Sequence, residues 1–188
     1  MTTQTETRTS TWTIDKTHSI AEFAVKHLVV TTVKGHFREF DGALNVDEAN
    51  PENSSVSASI DVASIDTNAP DRDAHLRSDD FFNAEKFPKI TFQSTRVELV
   101  DEGHAKVHGV LTIRDVTREV VLDTEYEGQI DDPWGNRRAA FTATTQISRK
   151  DFNVRWNQMI ETGGAVVGDN IRITLHIEAI RQGYEGSE

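Results

Sequence analysis

Residues 170–180 read NIRITLHIEAI, and their alternation decides the fold. Four aliphatic residues, Ile171, Ile173, Leu175 and Ile177, alternate there with polar ones. Because successive side chains of a strand point to opposite faces, this period of two predicts a strand with one apolar face. The same pattern is clear at 18–27 and 56–62, and weaker at 11–15, 33–47, 89–100, 104–114, 118–130 and 137–148.

The length of these runs distinguishes between all-β architectures. Several runs reach about ten residues, or roughly 33 Å at the usual rise of a strand. Eight or nine antiparallel strands of that length, each with one apolar face, favour a closed up-and-down barrel over a short-stranded sandwich. An eight-stranded barrel is wide enough to hold one small apolar ligand.

One segment, 68–85, breaks the alternation and predicts a short helical insertion. Asn68 is placed to cap a helix that has Pro70 in its first turn. Pro88 ends the insertion, because it forces the preceding residue into an extended conformation.

Length and composition bound the class of protein. A chain of 188 residues is one domain, expected over 11–181, with disordered ends at 1–10 and 182–188. The absence of Cys excludes disulfides, a thiolate nucleophile and Cys-ligated zinc. A net charge of −11 disfavours nucleic acid as a partner. No run approaches the roughly 20 apolar residues of a membrane span, so we expect no stable membrane insertion. Residues 1–10 lack the pattern of a signal peptide, so the expected location is the cytoplasm.

The sequence contains none of the common catalytic motifs. G-x-S-x-G, the P-loop and H-E-x-x-H are absent. His104 and His108 are four residues apart, but on a predicted strand that spacing spans about 13 Å, too far for one metal ion. We therefore expect no metal, no cofactor and no catalytic residue.

Two histidines bracket a predicted strand and are candidates for contact with a ligand headgroup. His18 precedes this strand, and His27 shares the inward face of Phe23 and Val25 by parity. The alternatives are a histidine satisfied by backbone groups near a barrel end, or a catalytic base beside Asp15.

The candidates for contact with an apolar ligand are spread over most elements. Each of them could equally be core packing. We expect one continuous apolar tunnel lined by Phe23, Val25, Phe37, Phe92, Phe141, Phe152 and Trp156. A long apolar chain cannot cross a hydrogen-bonded wall, so we expect it to enter at an end of the barrel. Phe81 and Phe82, beside the insertion, are expected to form a lid there, and Met159 part of the rim.

Short motifs in a fixed order resemble a known family. They are Trp12-Thr13-Ile14-Asp15, Gly35-His36-Phe37, Ser64-Ile65-Asp66-Thr67, Arg72-Asp73-Ala74-His75-Leu76-Arg77-Ser78-Asp79-Asp80-Phe81-Phe82, Phe87-Pro88-Lys89-Ile90-Thr91-Phe92, Gly109-Val110-Leu111-Thr112-Ile113 and Ser148-Arg149-Lys150-Asp151-Phe152. In this order and spacing they are similar to the YceI-like family of lipocalin-like, polyisoprenoid-binding proteins, over about residues 11 to 181. Asp115 and Asn153 stand where the family usually has Gly, and both residue types tolerate left-handed backbone.

The resemblance implies an extended eight-stranded antiparallel barrel that holds a long isoprenoid chain, often as a homodimer. Three functions remain open. The first is a protein that sequesters or carries an isoprenoid lipid, an isoprenoid quinone or a similar amphiphile. The second is an enzyme that acts on such a lipid through a His–carboxylate pair in the cavity. The third is an interaction domain with a filled barrel and a large exposed apolar patch. The missing catalytic motifs favour the first.

Overall fold

The computed structural model of the chain describes residues 9–161 and 164–184. The elements, in chain order, are β1 (Thr9–Ile14), β2 (Ile20–His27), β3 (Thr31–Phe37), β4 (Phe40–Asp47), β5 (Ser55–Asp61), β6 (Ile65–Asp66), α1 (Pro70–Arg77), β7 (Lys89–Leu99), β8 (His104–Ile113), β9 (Val116–Asp131), β10 (Arg137–Ser148) and β11 (Val167–Arg181). No helix among the described residues has the length and apolar character needed to cross a membrane.

Eight strands close into a barrel by antiparallel pairing. The ring runs β1-β4-β5-β7-β8-β9-β10-β11 and returns from β11 to β1. The other three strands extend this ring: β2 lies beyond β1 along β11, β3 pairs with β2, and β6 pairs with β3. The predicted eight-stranded antiparallel barrel is confirmed.

The strand predicted over 33–47 is two strands, because the alternation changes phase inside it. Phe37, at the end of β3, and Phe40, at the start of β4, are both buried although one number is odd and the other even. Arg38 and Glu39 lie between them, outside the ladders, and the chain bends at this point. The bend lets β3 pair with β2 while β4 pairs with β1.

Four connections meet at one end of the barrel, which we call the upper end. They are residues 28–30, 62–88, 114–115 and the described part of 149–166, which leaves out 162 and 163. A packed cluster, the upper cluster, fills this end: its buried members are Phe37, Val62, Ile65, Phe81, Ile90, Leu111, Ile113, Phe152 and Val154. The opposite, lower end holds a smaller cluster around Trp12, Ala139 and Ala179.

The helical insertion is present, but its predicted cap is wrong. The residue before α1 is Ala69, and Asn68 has a left-handed backbone with φ 61°. The backbone N–H of Thr67 donates to the Asp73 carboxylate at 2.9 Å, which holds the preceding chain against the first turns of the helix. From Ser78 to the start of β7, the chain forms turns, so the helix covers only Pro70–Arg77 of the predicted segment 68–85.

The chain ends are ordered further than predicted, wherever they are described. β1 begins at Thr9, and buried Ser10 accepts a hydrogen bond from the indole N–H of Trp12 at 2.9 Å. After β11, the backbone N–H of Gln182 donates to the carbonyl of Thr11 at 2.8 Å. Both chain ends are ordered because they hydrogen-bond to neighbouring parts of the barrel. Residues 1–8 and 185–188 of the predicted disordered ends lie outside the described residues.

The two turns that lack the usual Gly differ from each other. Asn153 has the left-handed backbone that its residue type tolerates, with φ 60°. Between β8 and β9, the positive φ of 56° belongs to Arg114 instead of Asp115. The guanidinium of Arg114 donates from this turn to the carbonyls of Phe81, at 2.9 Å, and Asn153, at 3.2 Å, and so joins two of the upper loops.

Candidate ligand-binding site

Between the two clusters, the barrel is lined by inward apolar side chains that are only half-buried. Leu111 and Ile113 of β8 are buried, so Val107, which follows the same alternation, also faces inward. Its register partners on the two neighbouring strands are Val97 and Leu122. These three valine and leucine side chains keep accessible surface and belong to neither cluster. We call the part of the barrel that they line, where inward side chains are not fully buried, the hollow segment.

The strand β11 lines another wall of the hollow segment. Its inward residues are half-buried and also lie outside both clusters: they are Ile171, Ile173, Leu175 and Ile177. Ile171 lies opposite Val25 of β2, and Ile173 lies opposite Phe23. The alternation that predicted the strand therefore also supplies part of an apolar interior surface.

The wall opens between β9 and β10. Their ladder runs from the pair Arg137–Asp131 to the pair Thr144–Asp123 and ends there. Closer to the upper end, residues 116–122 pair only with β8, and residues 145–148 pair only with β11. A cavity of about 720 Å³ occupies this gap, which we call the β9–β10 split.

The lining of the β9–β10 split includes both faces of the wall. Val120 and Ile147 belong to the inward sets and pack against the upper cluster, as does buried Phe152. Val121 and Gln146 belong to the outward sets and line the same cavity. The cavity therefore borders both faces of the wall. The expectation that a ligand enters at an end of the barrel assumed an unbroken hydrogen-bonded wall, and the ladder between β9 and β10 is interrupted here.

The outer rim of the split is polar. His108 and Glu119 belong to the outward sets of β8 and β9, and Asp151 follows β10. Arg118, the register partner of inward Leu111, belongs to the inward set of β9 but is exposed where the split opens. A guanidinium N–H of Arg96 lies 2.9 Å from His108 Nε2, which also lies 3.1 Å from the Glu98 carboxylate. The hydrogen bond from His108 and the charge of Arg96 lower the pKa of Glu98. Polar groups around an apolar throat can hold the head of an amphiphile while its tail lies inside.

The structure brings most of the predicted tunnel residues to the upper cluster. Phe37, Phe81 and Phe152 are buried in it, and Phe23, Phe82, Phe92 and Trp156 pack against it. Phe141 packs against the lower cluster instead, and Val25 is half-buried on the wall of the hollow segment. Met159 is 72% exposed on the loop before β11. The aromatic candidates therefore bound the hollow segment more than they line it.

Two inward glycines make room for two of these rings. A Cβ on Gly35 would lie 2.5 Å from Cζ of Phe23. A Cβ on Gly109 would overlap the ring of Phe92 and approach the carbonyl oxygen of Gln93 to 2.6 Å. Phe23 and Phe92 thus lie flat over the backbone of neighbouring strands, at the border between the upper cluster and the hollow segment.

Phe81 is fixed in place. It is 6% exposed, its ring centroid lies 5.2 Å from that of Trp156, and His75 packs edge-on at 5.0 Å. Nearby, the buried guanidinium of Arg149 donates to the carbonyls of Val154 and Trp156, both at 2.8 Å. Burial lowers the pKa of Arg149. The upper end is therefore closed by a packed layer.

His18 lies in an ion-pair cluster away from the hollow segment. Its Nδ1 is 2.9 Å from the Asp15 carboxylate, and its side chain is 58% exposed. Arg138 pairs with Asp15 at 2.9 Å and also with Glu178. The hydrogen bonds from His18 and Arg138 lower the pKa of Asp15 to about 2. Asp15, His18 and Glu178 could offer three atoms to a metal ion, but Arg138 already donates to both carboxylates.

His27 is half-buried at the upper end of β2, and its backbone carbonyl accepts a hydrogen bond from the Thr31 hydroxyl at 3.0 Å. Among the described residues, neither predicted histidine forms a buried His–carboxylate pair inside the barrel. His108, which sequence reasoning treated only as a strand histidine, is the one that lines the β9–β10 split.

Sequence reasoning also missed the residues of the hollow segment. Val97, Val107 and Leu122 lie in runs whose alternation was already visible at 89–100, 104–114 and 118–130. Their inward position followed from parity alone. The emphasis on aromatic residues hid them, because large rings mark packed clusters and smaller aliphatic residues leave space.

Comparisons with known proteins agree with this architecture. The profile of the YceI-like domain matches residues 12–179. A UPF0312 protein of Ectopseudomonas mendocina (strain ymp) is 40% identical over 173 residues, which cover 91% of this chain and 87% of its own. Protein YceI of Escherichia coli O157:H7 is 38% identical over 165 residues, covering 88% and 83% of the two chains.

Solved structures give the same result. The YCEI protein of Campylobacter jejuni superposes with a TM-score of 0.72 at 33% identity, covering 82% of this chain and 88% of its own. BcnA of Burkholderia cenocepacia has a TM-score of 0.77 at 24% identity, covering 88% and 98%. A polyisoprenoid binding domain from Saccharophagus degradans, implicated in plant cell wall breakdown, has a TM-score of 0.65 at 14% identity, covering 90% and 97%. The last two likenesses concern the fold alone.

Proposed function

Because the chain belongs to the YceI-like family, we propose that it binds one long isoprenoid lipid inside its barrel and sequesters or carries it. The ligand class is a polyisoprenoid, an isoprenoid quinone or a similar single-chain amphiphile. The hollow segment carries this proposal: Val97, Val107 and Leu122 face inward on three adjacent strands and are only half-buried. The polyisoprenoid binding described for the Saccharophagus domain of the same fold is consistent with it.

Non-directional burial is sufficient to hold such a ligand. Each CH₂-like unit removed from water contributes about 0.8 kcal/mol, offset in part by the ordering of the chain and its loss of free motion. A long apolar tail therefore needs no polar partner inside the barrel, in agreement with the aliphatic lining of the hollow segment. The headgroup would lie at the polar rim of the β9–β10 split, near Arg118 and His108.

The proposed route of the ligand is the split. Val120 and Ile147 line its apolar throat, and Leu122 continues from Val120 along the inward face of β9 into the hollow segment. The split therefore gives a tail access to the hollow segment without unpacking the upper cluster. The alternative route runs through the upper end and requires Phe81 and Phe82 to move.

The proposal is tested first by extraction. The protein is purified without detergent and extracted with organic solvent, and the extract is analysed by mass spectrometry. We expect an isoprenoid chain in amounts comparable with the protein. An extract without isoprenoids, together with no uptake of an added isoprenoid quinone by the delipidated protein, would contradict the proposal.

A pair of adjacent variants locates the ligand. Val107→Gln places an amide in the hollow segment, whereas Lys106→Gln places the same side chain on the exposed outer face of β8. We expect Val107→Gln to reduce uptake of the quinone about tenfold or more, because a buried amide without a partner costs about 1–3 kcal/mol. Lys106→Gln should bind like the parent. Equal binding by both variants would place the ligand elsewhere.

A further inference from the structure

The turn between β2 and β3 presents three consecutive aliphatic residues to solvent. They are Leu28, Val29 and Val30, and the last two are 67% and 78% exposed. Met159, 72% exposed, lies on the neighbouring loop at the same end of the barrel. We call these four residues the apolar rim. Such a run at the tip of a hairpin is unusual, because turns normally carry polar residues or Gly.

Contacts between the two loops make the apolar rim one surface. The backbone N–H of Leu28 donates to the carbonyl of Val166 at 3.0 Å, which extends the pairing of β2 with β11. A Cβ on Gly164 would lie 3.6 Å from Cγ2 of Val29. Met159 pairs with Ala165 in the same loop. The hairpin tip and the loop before β11 therefore lie side by side.

The backbone of the tip is strained for the residues it contains. Leu28 has φ 50° and Val29 has φ 68°. Positive φ is rare for residues other than Gly, Asn and Asp, and for a β-branched residue it is an outlier. Asn and Gly would fit these two positions without strain. Strain of this kind persists mainly where the side chains serve a function.

The charge around the tip differs from that of the whole chain. Residues 23–38 contain no Asp or Glu, although the chain has a net charge of −11. Lys26 and Lys34 are exposed on the strands beside the tip, and Lys34 pairs with Glu22 at 2.9 Å. Basic groups beside an apolar tip match a surface of anionic lipid headgroups.

The lower end lacks this combination. Its turns expose Ile130 and Trp134, at 69% and 80%, but acidic pairs flank them at 101–102 and 131–132. Asp131 and Asp132 pair with Arg137 and Arg138, so the repulsion of anionic headgroups would come mainly from Asp101 and Glu102. At the upper end, α1 and the turns after it also carry acidic residues, and Glu161 is exposed on the loop of Met159. The side of the apolar rim next to Lys26 and Lys34 is therefore the part that suits such a surface.

We propose that the apolar rim inserts into the interfacial region of an anionic lipid bilayer and docks the upper end of the barrel on it. The docking deepens the proposed function, since it brings the barrel to the surface from which an isoprenoid is taken, but the docking itself needs no ligand. A convex tip of four side chains is too small for the interface of a stable homodimer, which buries about 1,200–2,000 Å².

The test uses the full chain and vesicles without isoprenoids, made of phosphatidylcholine with about a third phosphatidylglycerol. We expect the parent to co-sediment with these vesicles. The variant Leu28→Asn/Val29→Gly/Val30→Thr should bind the vesicles at least about tenfold more weakly than the parent, because it removes the inserted side chains. It should unfold at the same temperature as the parent or higher, because its turn residues fit the backbone. Trp134→Ala, at the opposite end, should bind vesicles like the parent.

Three results would overturn the proposal. The parent could fail to bind these vesicles, the triple variant could bind like the parent, or Trp134→Ala could weaken binding as much as the triple variant does. Sedimentation velocity identifies the competing role of the tip: conversion of a dimer to a monomer by the triple variant, with no vesicle binding by the parent, would assign the apolar rim to self-association. Since the vesicles hold no isoprenoid, failure of docking and failure of lipid binding are distinguishable.

Discussion

At the residue scale, Gly109 is the position where a single methyl group should matter most. The ring of Phe92 occupies the place that a Cβ on Gly109 would take, so Gly109→Ala requires the ring or the strand to move. We expect a loss of about 1–3 kcal/mol in the free energy of unfolding, the usual cost of overpacking. Urea unfolding measures it.

Gly103→Ala is the matched control, because a Cβ there would meet only an Asp101 carboxylate oxygen at 3.9 Å. Gly109→Ala combined with Phe92→Leu should recover part of the loss, because the smaller side chain leaves room for the new methyl group. Equal stability of the two glycine variants would show that Phe92 does not press on the backbone of β8.

Asp15 gives a second prediction at this scale, on pH dependence. Its pKa in the folded protein, about 2, lies below the ordinary value because His18 and Arg138 favour the charged carboxylate. Its contribution to stability is therefore complete above the ordinary pKa of about 3.9 and is lost as the pH falls through about 2. Asp15→Asn should lower the urea midpoint at pH 7, and its deficit relative to the parent should shrink towards pH 2. A deficit that is constant with pH would contradict this assignment.

At the scale of elements, the β9–β10 split can be closed selectively, because the chain has no native Cys. Cysteines at Val121 and Gln146 would face each other across the split if the ladder register continued beyond Thr144–Asp123. We expect a bifunctional maleimide at this pair to slow the release of bound quinone by about tenfold or more. Fluorescence quenching of the quinone-loaded protein measures the rate.

The control is the same cross-link at Glu125 and Thr142, which pair within the ladder. That link should leave the release rate unchanged, since the wall is already closed there. The alternative is release through the upper end. If Phe81→Ala/Phe82→Ala speeds release of the quinone while the link across the split has no effect, these two rings form the gate. Phe81 is buried, so this double variant also needs a check that it is folded.

The alternation in the sequence predicted where most strands lie. It was not used to predict the break between β3 and β4, and the β9–β10 split was not predicted. Phe37 and Phe40 carry a signal that could have been used, because two inward residues three apart require a change of phase. The split carries no such signal. Residues 145–148 alternate like a paired strand, and the three consecutive apolar residues 120–122 fit a strand as well, so the end of the ladder at Thr144–Asp123 cannot be read from either segment.

At the scale of the whole molecule, the barrel has two packed ends and, between them, inward aliphatic side chains that are only half-buried. A ligand that binds only the folded state raises the free energy of unfolding by RT ln(1 + [L]/Kd). The gain is about 2.7 kcal/mol when the free ligand concentration is a hundred times Kd. Loading the delipidated parent with an isoprenoid quinone should therefore raise its unfolding temperature. Differential scanning fluorimetry of Val107→Gln should show little of this increase, and an equal increase in both proteins would place the ligand outside the hollow segment.

The seam that closes the barrel joins the two ends of the chain. Residues 12–14 of β1 pair with residues 179–181 of β11. During synthesis, β1 leaves the ribosome first and must wait for almost the whole chain before its second neighbour exists. Such long-range pairing folds slowly and leaves strand edges exposed in the meantime. The nascent chain therefore cannot enclose a lipid before β11 has been made: any lipid in the finished barrel either was trapped when the seam closed or arrived later.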